Sequence, residues 1–336
     1  MPYQPPFTLS AKVIHWVSQI SESLGRINKE YLQSSPQLRK QNRVKTIAGT
    51  LAIEGNTLSL EQITAIIDGK RVLGEPKEIA EVHGAIAAYE KLAGWNAYSE
   101  TDFLTAHGLL MGEVLQDAGV FRTQSVGIHK GKQVIHVAPP ADRVPQQVKD
   151  LFNWAKNSDQ HSLIISSVVH YELEFIHPFM DGNGRMGRLW QTLLLGQWKP
   201  VFFLLPLESV IKDRQQAYYD ALESADNSTD SLPFIEFILE AIDNILQENL
   251  QNIAIENDQV SDQVSDQVKA LLAIMDNEYL STKEMMLRLS LLHRPTFRKN
   301  YLNPALALGL VAMKEPESPT SPTQKYRKVQ KNSQET

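Results

Sequence analysis

Residues 177–188 read HPFMDGNGRMGR, which brings one imidazole, one carboxylate, a set of glycines, an Asn and two arginines into one short stretch. Apolar sequence flanks it, residues 163–176 before and 189–195 after. Ser166, Val169, Leu173 and Ile176 recur at helical spacing, so the pattern predicts a helix, a tight Gly-rich loop and a second helix. A Gly-rich loop entering a helix N-terminus presents unpaired backbone N–H groups and the positive end of the helix dipole, which together make an anion cradle. Arg185 and Arg188 stand three apart and lean over one face of the second helix. Asp181 offers a hard oxygen suited to Mg²⁺. His177, at the end of the incoming helix, is placed to take a proton. These residue types suit a nucleotide polyphosphate with a base beside it.

Composition narrows the class. The chain has 336 residues, enough for two or three domains. A net charge of −6 gives no global nucleic-acid signal. Cysteine is absent, which excludes a disulfide framework, thiol catalysis and thiolate metal sites. No apolar run reaches the ~18 residues that a membrane helix needs. The opening MPYQPPF lacks the basic-then-apolar pattern of a secretory signal, so a cytoplasmic protein with no membrane partner is expected.

The stretch 177–188 resembles the signature of Fic-domain proteins, HPFx(D/E)GNGRxxR, and matches it at every fixed position. The resemblance implies an adenylyltransferase that moves AMP from ATP to a Ser, Thr or Tyr hydroxyl of a target protein and of itself. It implies His177 as general base and Asp181 as the Mg²⁺ ligand. Gly182, Asn183 and Gly184 would form the anion hole, and Arg185 and Arg188 would hold the β- and γ-phosphates.

A second motif bears on regulation. Residues 50–56 read TLAIEGN, at the end of a helix-like run over 38–53. Glu54 before Gly55 and Asn56 reads as a helix C-terminus with a Gly cap. A carboxylate there opposes the dipole by about 0.3–1 kcal/mol, so Glu54 needs a cation from elsewhere. The motif is similar to the (S/T)xxxE(G/N) inhibitory helix of the same family. By that likeness Glu54 pairs with Arg188 and blocks productive γ-phosphate binding.

Between the motifs, a helix-like run from Thr101 ends at the segment 119–122, GVFR. Residues 125–129 and 133–137 then alternate about a Gly turn, which predicts a β-hairpin. In the family such a hairpin is a flap over the site, and an unpaired strand edge suits an extended peptide. Val134, Ile135 and His136 would contact ATP there, and His129 also sits on the flap. Further on, the resemblance puts Tyr218 and Asp226 at the nucleoside, with Tyr219 as the core member of the aromatic pair. His83, His107, His161 and His170 read as helix-surface or core residues.

The repeat DQVSDQVSDQV over 258–268 marks a boundary, as helix or as polar tether. Beyond it the pattern resembles a winged helix. Ser281 and Glu284 form a capping box, Pro295 opens a candidate recognition helix over 296–308, and 309–314 with 325–329 suit wing strands. Arg294, Arg298, Lys299, Lys314, Lys325, Arg327 and Lys328 stand against Glu315 and Glu317 in this tail, which suits DNA and equally a protein contact or dimerisation. The expected fold is mainly α: a Fic helical bundle with a β-hairpin flap and a small α+β C-terminal domain. The expected divisions are an N-terminal helical region (1–74), a catalytic core (75–250), a linker (251–268) and the winged-helix-like domain (269–336), with a homodimer as the assembly. Two other readings stay open: a hydrolase that removes AMP, with Glu54 positioning water, and a nucleotide-sensing DNA-binding regulator.

Overall fold

Ser10 opens the first helix, α1 (Ala11–Arg26), by accepting the Val13 N–H on its side chain. Next come α2 (Pro36–Ile53) and α3 (Leu60–Ile67). Ser59 and Gln62 start α3 with a reciprocal capping box. Pro76 stands in the first turn of α4 (Pro76–Lys91), where its missing N–H costs nothing. The computed structural model describes residues 3–27, 36–130, 133–263, 265–275, 278–319, 321 and 323–329, without the side chains of 127–137, 252–263 and 307.

The helix expected from Thr101 toward Arg122 is shorter than the sequence suggests. It is α5 (Glu100–Met111), and the chain then turns. Gly119 at φ +82 sits in that turn and donates its N–H to His107 Nδ1 at 2.8 Å, a bond no continuing helix could make. The hairpin follows, β1 (Gly127–Lys130) antiparallel to β2 (Gln133–Val137). Its turn residues 131–132 lie outside the described residues.

After α6 (Val144–Asn157), helices α7 (Ser162–Ile176) and α8 (Asn183–Trp198) form the centre. Every residue from Leu163 to Leu173 is buried, and α8 is nearly as enclosed, so these are interior helices rather than amphipathic surface ones. Phe103 of α5 meets Phe152 of α6 and Trp190 of α8 edge-on, with centroids 5.4 and 4.9 Å apart, Phe152 and Trp190 stack at 6.0 Å, and Phe103 lies 5.2 Å from Phe179 of the loop between α7 and α8. Such pairs add about 0.5–1.5 kcal/mol each beyond their buried area, and here they fix the floor under the Gly-rich loop. Helices α9 (Leu207–Asp213), α10 (Gln215–Ser228) and α11 (Leu232–Gln263) complete the bundle.

The chain divides into two compact units, Met1–Leu250 and Gln251–Thr336. The stretch read as a linker is helical up to Gln263, and α12 (Asp266–Ala273) begins after the Ser265 cap. The second unit has its own core, which includes Leu271, Met285, Phe297, Leu302 and Tyr326. Ser281 and Glu284 make the expected capping box of α13 (Thr282–Arg288). The candidate recognition helix starts earlier than expected, at Arg294, and runs to Ala307 through a π-turn at Arg298–Leu302. Its sheet has a strand the sequence did not disclose: β3 (Leu280–Ser281) pairs with β5 (Lys325–Lys328), which also pairs with β4 (Val311–Met313). Two residues are too few to set an alternation. No helix of the described residues is long and apolar enough to cross a membrane.

Candidate active site

The loop between α7 and α8 is held from several directions. His177 caps α7 in the left-handed region at φ 50, and its N–H still closes on Leu173 O. A bulky residue rarely takes this conformation without compensating contacts. Arg122 supplies them. Its guanidinium donates to His177 O at 2.7 Å and Ile176 O at 3.2 Å, and its own N–H donates to Pro178 O at 2.9 Å. The same guanidinium reaches Gln124 O and Pro139 O, one on each side of the hairpin. One buried side chain thus ties both feet of the flap to the backbone of His177.

Asn183 closes the loop from inside. Its side chain accepts the Phe179 N–H at 2.8 Å and donates to Phe179 O at 2.9 Å. The Phe179 ring stacks on His107 at 3.6 Å, nearly parallel. Since His107 Nδ1 accepts from Gly119, its Nε2 carries the proton and donates to Asp181 O at 3.0 Å. Burial pulls the His107 imidazole down to about 4, which keeps it in this neutral form. His107 and His170 are therefore core residues, as expected, and His107 also supports the site loop.

Gly182, at φ +84, starts α8. Its N–H is taken by Asp181 Oδ1 at 2.6 Å, so the donors left to an anion are those of the first helical turn, from Asn183 onward. Gly184 marks a close approach: a Cβ there would lie 2.3 Å from Glu54 Oε1 and 3.1 Å from Arg188 Nη1, so a side chain would push the Glu54 carboxylate aside. The inhibitory candidate thus sits directly over the cradle.

Glu54 reaches it through a Schellman ending of α2. Asn56 N–H closes on Leu51 O and Gly55 N–H on Ala52 O, with Gly55 at φ +90. Glu54 Oε1 accepts from Arg188 Nη2 at 2.7 Å, and Arg188 also donates to Thr50 O and Thr50 Oγ1. Burial alone would pull the Arg188 guanidinium down, but the Glu54 charge, with Tyr218 and Glu174, holds it above its ordinary range. Arg188 Nη1 and Arg185 Nε are buried with no hydrogen-bond partner, while Arg185 Nη1, also without a hydrogen bond, lies in ion-pair range of Glu81. Buried guanidinium donors without partners are what a phosphate would satisfy. Arg185 meanwhile faces Asp181 Oδ1 and Glu81 Oε1, each at 3.3 Å. Asn56 donates to the other oxygen of Glu81 at 2.9 Å, which links the TLAIEGN motif to the first arginine as well as the second.

Among the described residues no cluster of three His, Asp or Glu could hold a metal alone. Asp181, half exposed, is a single carboxylate oxygen donor at the cradle. That fits Mg²⁺, which commonly takes one or two carboxylates and completes its shell with phosphate and water.

The aromatic assignment is corrected. Tyr218 is the core member at 1% exposure and Tyr219 is at 40%. Tyr218 shares its face of α10 with buried Ala221 and Ala225, while Tyr219 falls one position round the helix. The Tyr218 hydroxyl lies 3.1 Å from His170 Nε2 and 3.3 Å from Glu174 Oε1. Asp226 accepts from the Tyr171 hydroxyl at 2.7 Å. In the hairpin, Ile128 pairs with His136 and His129 with Val134, so Ile135 is the extra residue of a bulge. The side chains of Val134, Ile135 and His136 lie outside the described residues. Sequence reasoning missed Arg122 and Glu81 because their partners are distant backbone and side-chain groups that no local spacing reveals.

The chain matches the Fic/DOC family over residues 97–195 and the Fic-like C-terminal domain of filamentation-induced-by-cAMP proteins over 266–328. The crystal structure of a Fic family protein from Desulfovibrio desulfuricans G20 is 49% identical, with a TM-score of 0.73, over 99% of this chain and 100% of that one. The chain belongs to the Fic family. Fic-1 of Caenorhabditis elegans (aa134–508), 24% identical over 73% of this Fic protein and 72% of that chain, shares the fold with a TM-score of 0.61. Curated relatives include protein adenylyltransferase fic-1 of Caenorhabditis elegans, 31% identical over 68% of this chain and 46% of its own, and protein adenylyltransferase Fic of Aedes aegypti, 30% identical over 62% and 42%. This Fic protein spans less than half the length of those relatives.

Proposed function

We propose that this Fic protein transfers AMP from ATP to a side-chain hydroxyl of a protein, itself included, and that Glu54 restrains the reaction. The observation that carries this is the Glu54–Arg188 pair, 2.7 Å long, seated on the anion cradle that His177 borders. The phosphates would rest on the first turn of α8, with Arg185 and Arg188 on the β- and γ-groups. Tyr218 and Asp226 are assigned to the nucleoside side, and Val134, Ile135 and His136 to the flap contact with ATP. His177 takes the proton of the target hydroxyl, whose oxygen attacks the α-phosphorus in line as the bond to pyrophosphate breaks. Mg²⁺ held by Asp181 would supply charge neutralisation at the phosphates. With Arg188 engaged by Glu54, the γ-phosphate lacks its cation, and a displacement of ~1 Å at the reacting atoms can cost ~10² in rate. The test is incubation with α-labelled ATP and Mg²⁺, wild type beside Glu54→Gly. Label on protein supports transfer, and release of AMP from already labelled protein would favour the hydrolase instead.

The β3-β5-β4 order and the helices between β3 and β4 support a winged helix for the second unit. Lys325, Arg327 and Lys328 are exposed on its central strand, and Arg294 and Lys299 on its helix. This favours duplex DNA as a further partner, and with it the nucleotide-sensing regulator as second reading. We assign a homodimer, which sedimentation tests, and a cytoplasmic site, which matches the cysteine-free composition and the ATP supply the reaction needs.

A further inference from the structure

A brake that competes with ATP for Arg188 needs an anchor that does not depend on Arg188. The last carbonyls of α2 show where that anchor lies. Leu51 O and Ala52 O are closed by the Schellman turn, and Thr50 O by Arg188 itself. Ile53 O, in the peptide unit that carries the Glu54 nitrogen, accepts two donors from another helix: Gln215 Nε2 at 2.8 Å and the Tyr219 hydroxyl at 3.0 Å. Gln215 and Tyr219 stand four apart on α10, one turn of the same face. Gln215 is the first residue of α10 and takes no part in capping it; the N-cap is Arg214, without a side-chain cap bond. A helix-terminal carbonyl usually turns to water or a local turn; here a partly exposed Tyr and Gln spend their donors on it.

We propose that Gln215 and Tyr219 are positioning residues of the brake, clamping Ile53 O so that Glu54 stays over the cradle while phosphate competes for Arg188. The proposal rests on the reading of Glu54 as inhibitory. Asn56 holds the turn beyond Glu54 to Glu78 O and Glu81. Without the clamp the peptide unit before Glu54 would lose both of its donors, and ATP would take the Arg188 contact as it binds. Glu54 would then swing clear more readily, and transfer would rise. Neither clamp hydrogen bond goes to a residue assigned to phosphate, base, metal or nucleoside. The Tyr219 ring does lie against Tyr218, 5.4 Å between centroids, and Tyr219→Phe keeps that ring, so the two donors have no task once Glu54 lacks its carboxylate.

The experiment compares protein labelling by α-labelled ATP in full-length wild type, Gln215→Leu, Gln215→Leu/Tyr219→Phe, Glu54→Gly, and Glu54→Gly carrying both clamp changes. Leu and Phe keep the volume and remove the donors. The double clamp variant should label faster than wild type by about fivefold or more, the factor one ordinary hydrogen bond makes in an equilibrium, with Gln215→Leu between them. In the Glu54→Gly background the clamp changes should leave the rate within about twofold. A double variant no faster than wild type overturns the proposal. So does a change of the same size in both backgrounds, which would assign the pair to nucleotide binding or to folding. If Glu54→Gly is itself no faster than wild type while His177→Ala still abolishes labelling, the brake fails and the clamp with it, but transfer stands. If clamp variants alone are faster, the failure lies in the role given to the Glu54 carboxylate.

Discussion

Three residues, Glu54, Arg188 and His177, decide the chemistry proposed here, and each has its own signature in rate. Glu54 sits at the unfavourable end of α2, and Arg188 is buried with donors to satisfy. Their pairing answers both needs. Glu54→Gly should therefore raise labelling, most visibly as self-modification, and equal rates in wild type and variant would remove the inhibitory reading. Arg188→Ala should not mimic it, because that change deletes the side chain proposed to hold the γ-phosphate along with the partner of the brake. His177 lies beside the cradle and not in it, so His177→Ala in the Glu54→Gly background should bind ATP yet lose about 10²–10⁴ in transfer. Calorimetric ATP binding and labelling, measured on the same preparation, separate the two. Labelling that persists in the double variant would remove His177 as the base.

At the scale of elements, the supports of the site are mostly long-range contacts. The loop 177–188 and the Glu54 motif were legible because their chemistry is written in consecutive residues. Arg122 was not, since the carbonyls it serves lie at 124, 139 and 176–178. The sequence does not show that Tyr218 rather than Tyr219 is the core ring, because only the helix phase, set by packing on Phe234 and Phe237, tells which ring faces inward. Arg122→Met should cost on the order of 3 kcal/mol, as carbonyls lose charge-assisted bonds. In the Glu54→Gly background it should also depress transfer by more than the loss of folded protein explains; labelling normalised to the folded fraction checks this. A second elemental contact joins the N-terminal segment to α7, where the Tyr3 hydroxyl donates to buried Glu172 at 2.8 Å. Burial pushes the Glu172 carboxyl up to about 7 from an ordinary 4.5, against the lowering effect of the Tyr3 bond. The folded state thus binds a proton that the unfolded chain has released, and this contribution to stability, full below about 4.5, is lost as pH rises through about 7. His107 acts in the opposite sense: its contribution, full above 6.5, is lost as pH falls through about 4. The slopes oppose each other in one window, so wild type alone cannot report either. Subtracting Tm against pH for Glu172→Gln from that of wild type isolates the first. A difference curve that is flat from 4.5 to 7 would mean Glu172 is ionised in the folded protein.

The whole molecule poses the question of what two units do on one chain. The second unit has a core of its own, with Leu271, Phe297 and Tyr326 fully or almost fully buried, and α12 within it starts from the Ser265 cap. A fragment from Asp262 onward should therefore fold cooperatively by itself, despite its small size. Its basic residues, spread over the helix from Arg294 and the strand Lys325–Lys328, form a local positive surface on an acidic protein. If that surface serves duplex DNA, each phosphate it neutralises releases counterions, and the logarithm of affinity should fall linearly with the logarithm of salt, with a slope of about −0.9 per phosphate. Lys325→Glu and Arg327→Glu should each reduce that slope by about one while leaving the fragment folded, because both side chains are exposed and Tyr326 between them carries the packing. Fluorescence anisotropy with a labelled duplex over a salt series measures this. Arg327 also lies 5.1 Å over the Tyr279 ring, so its variant should lose a little stability where the Lys325 variant loses none. A folded fragment that binds no duplex at low salt, and that sediments as a dimer, would give the same surface to a second copy of the chain.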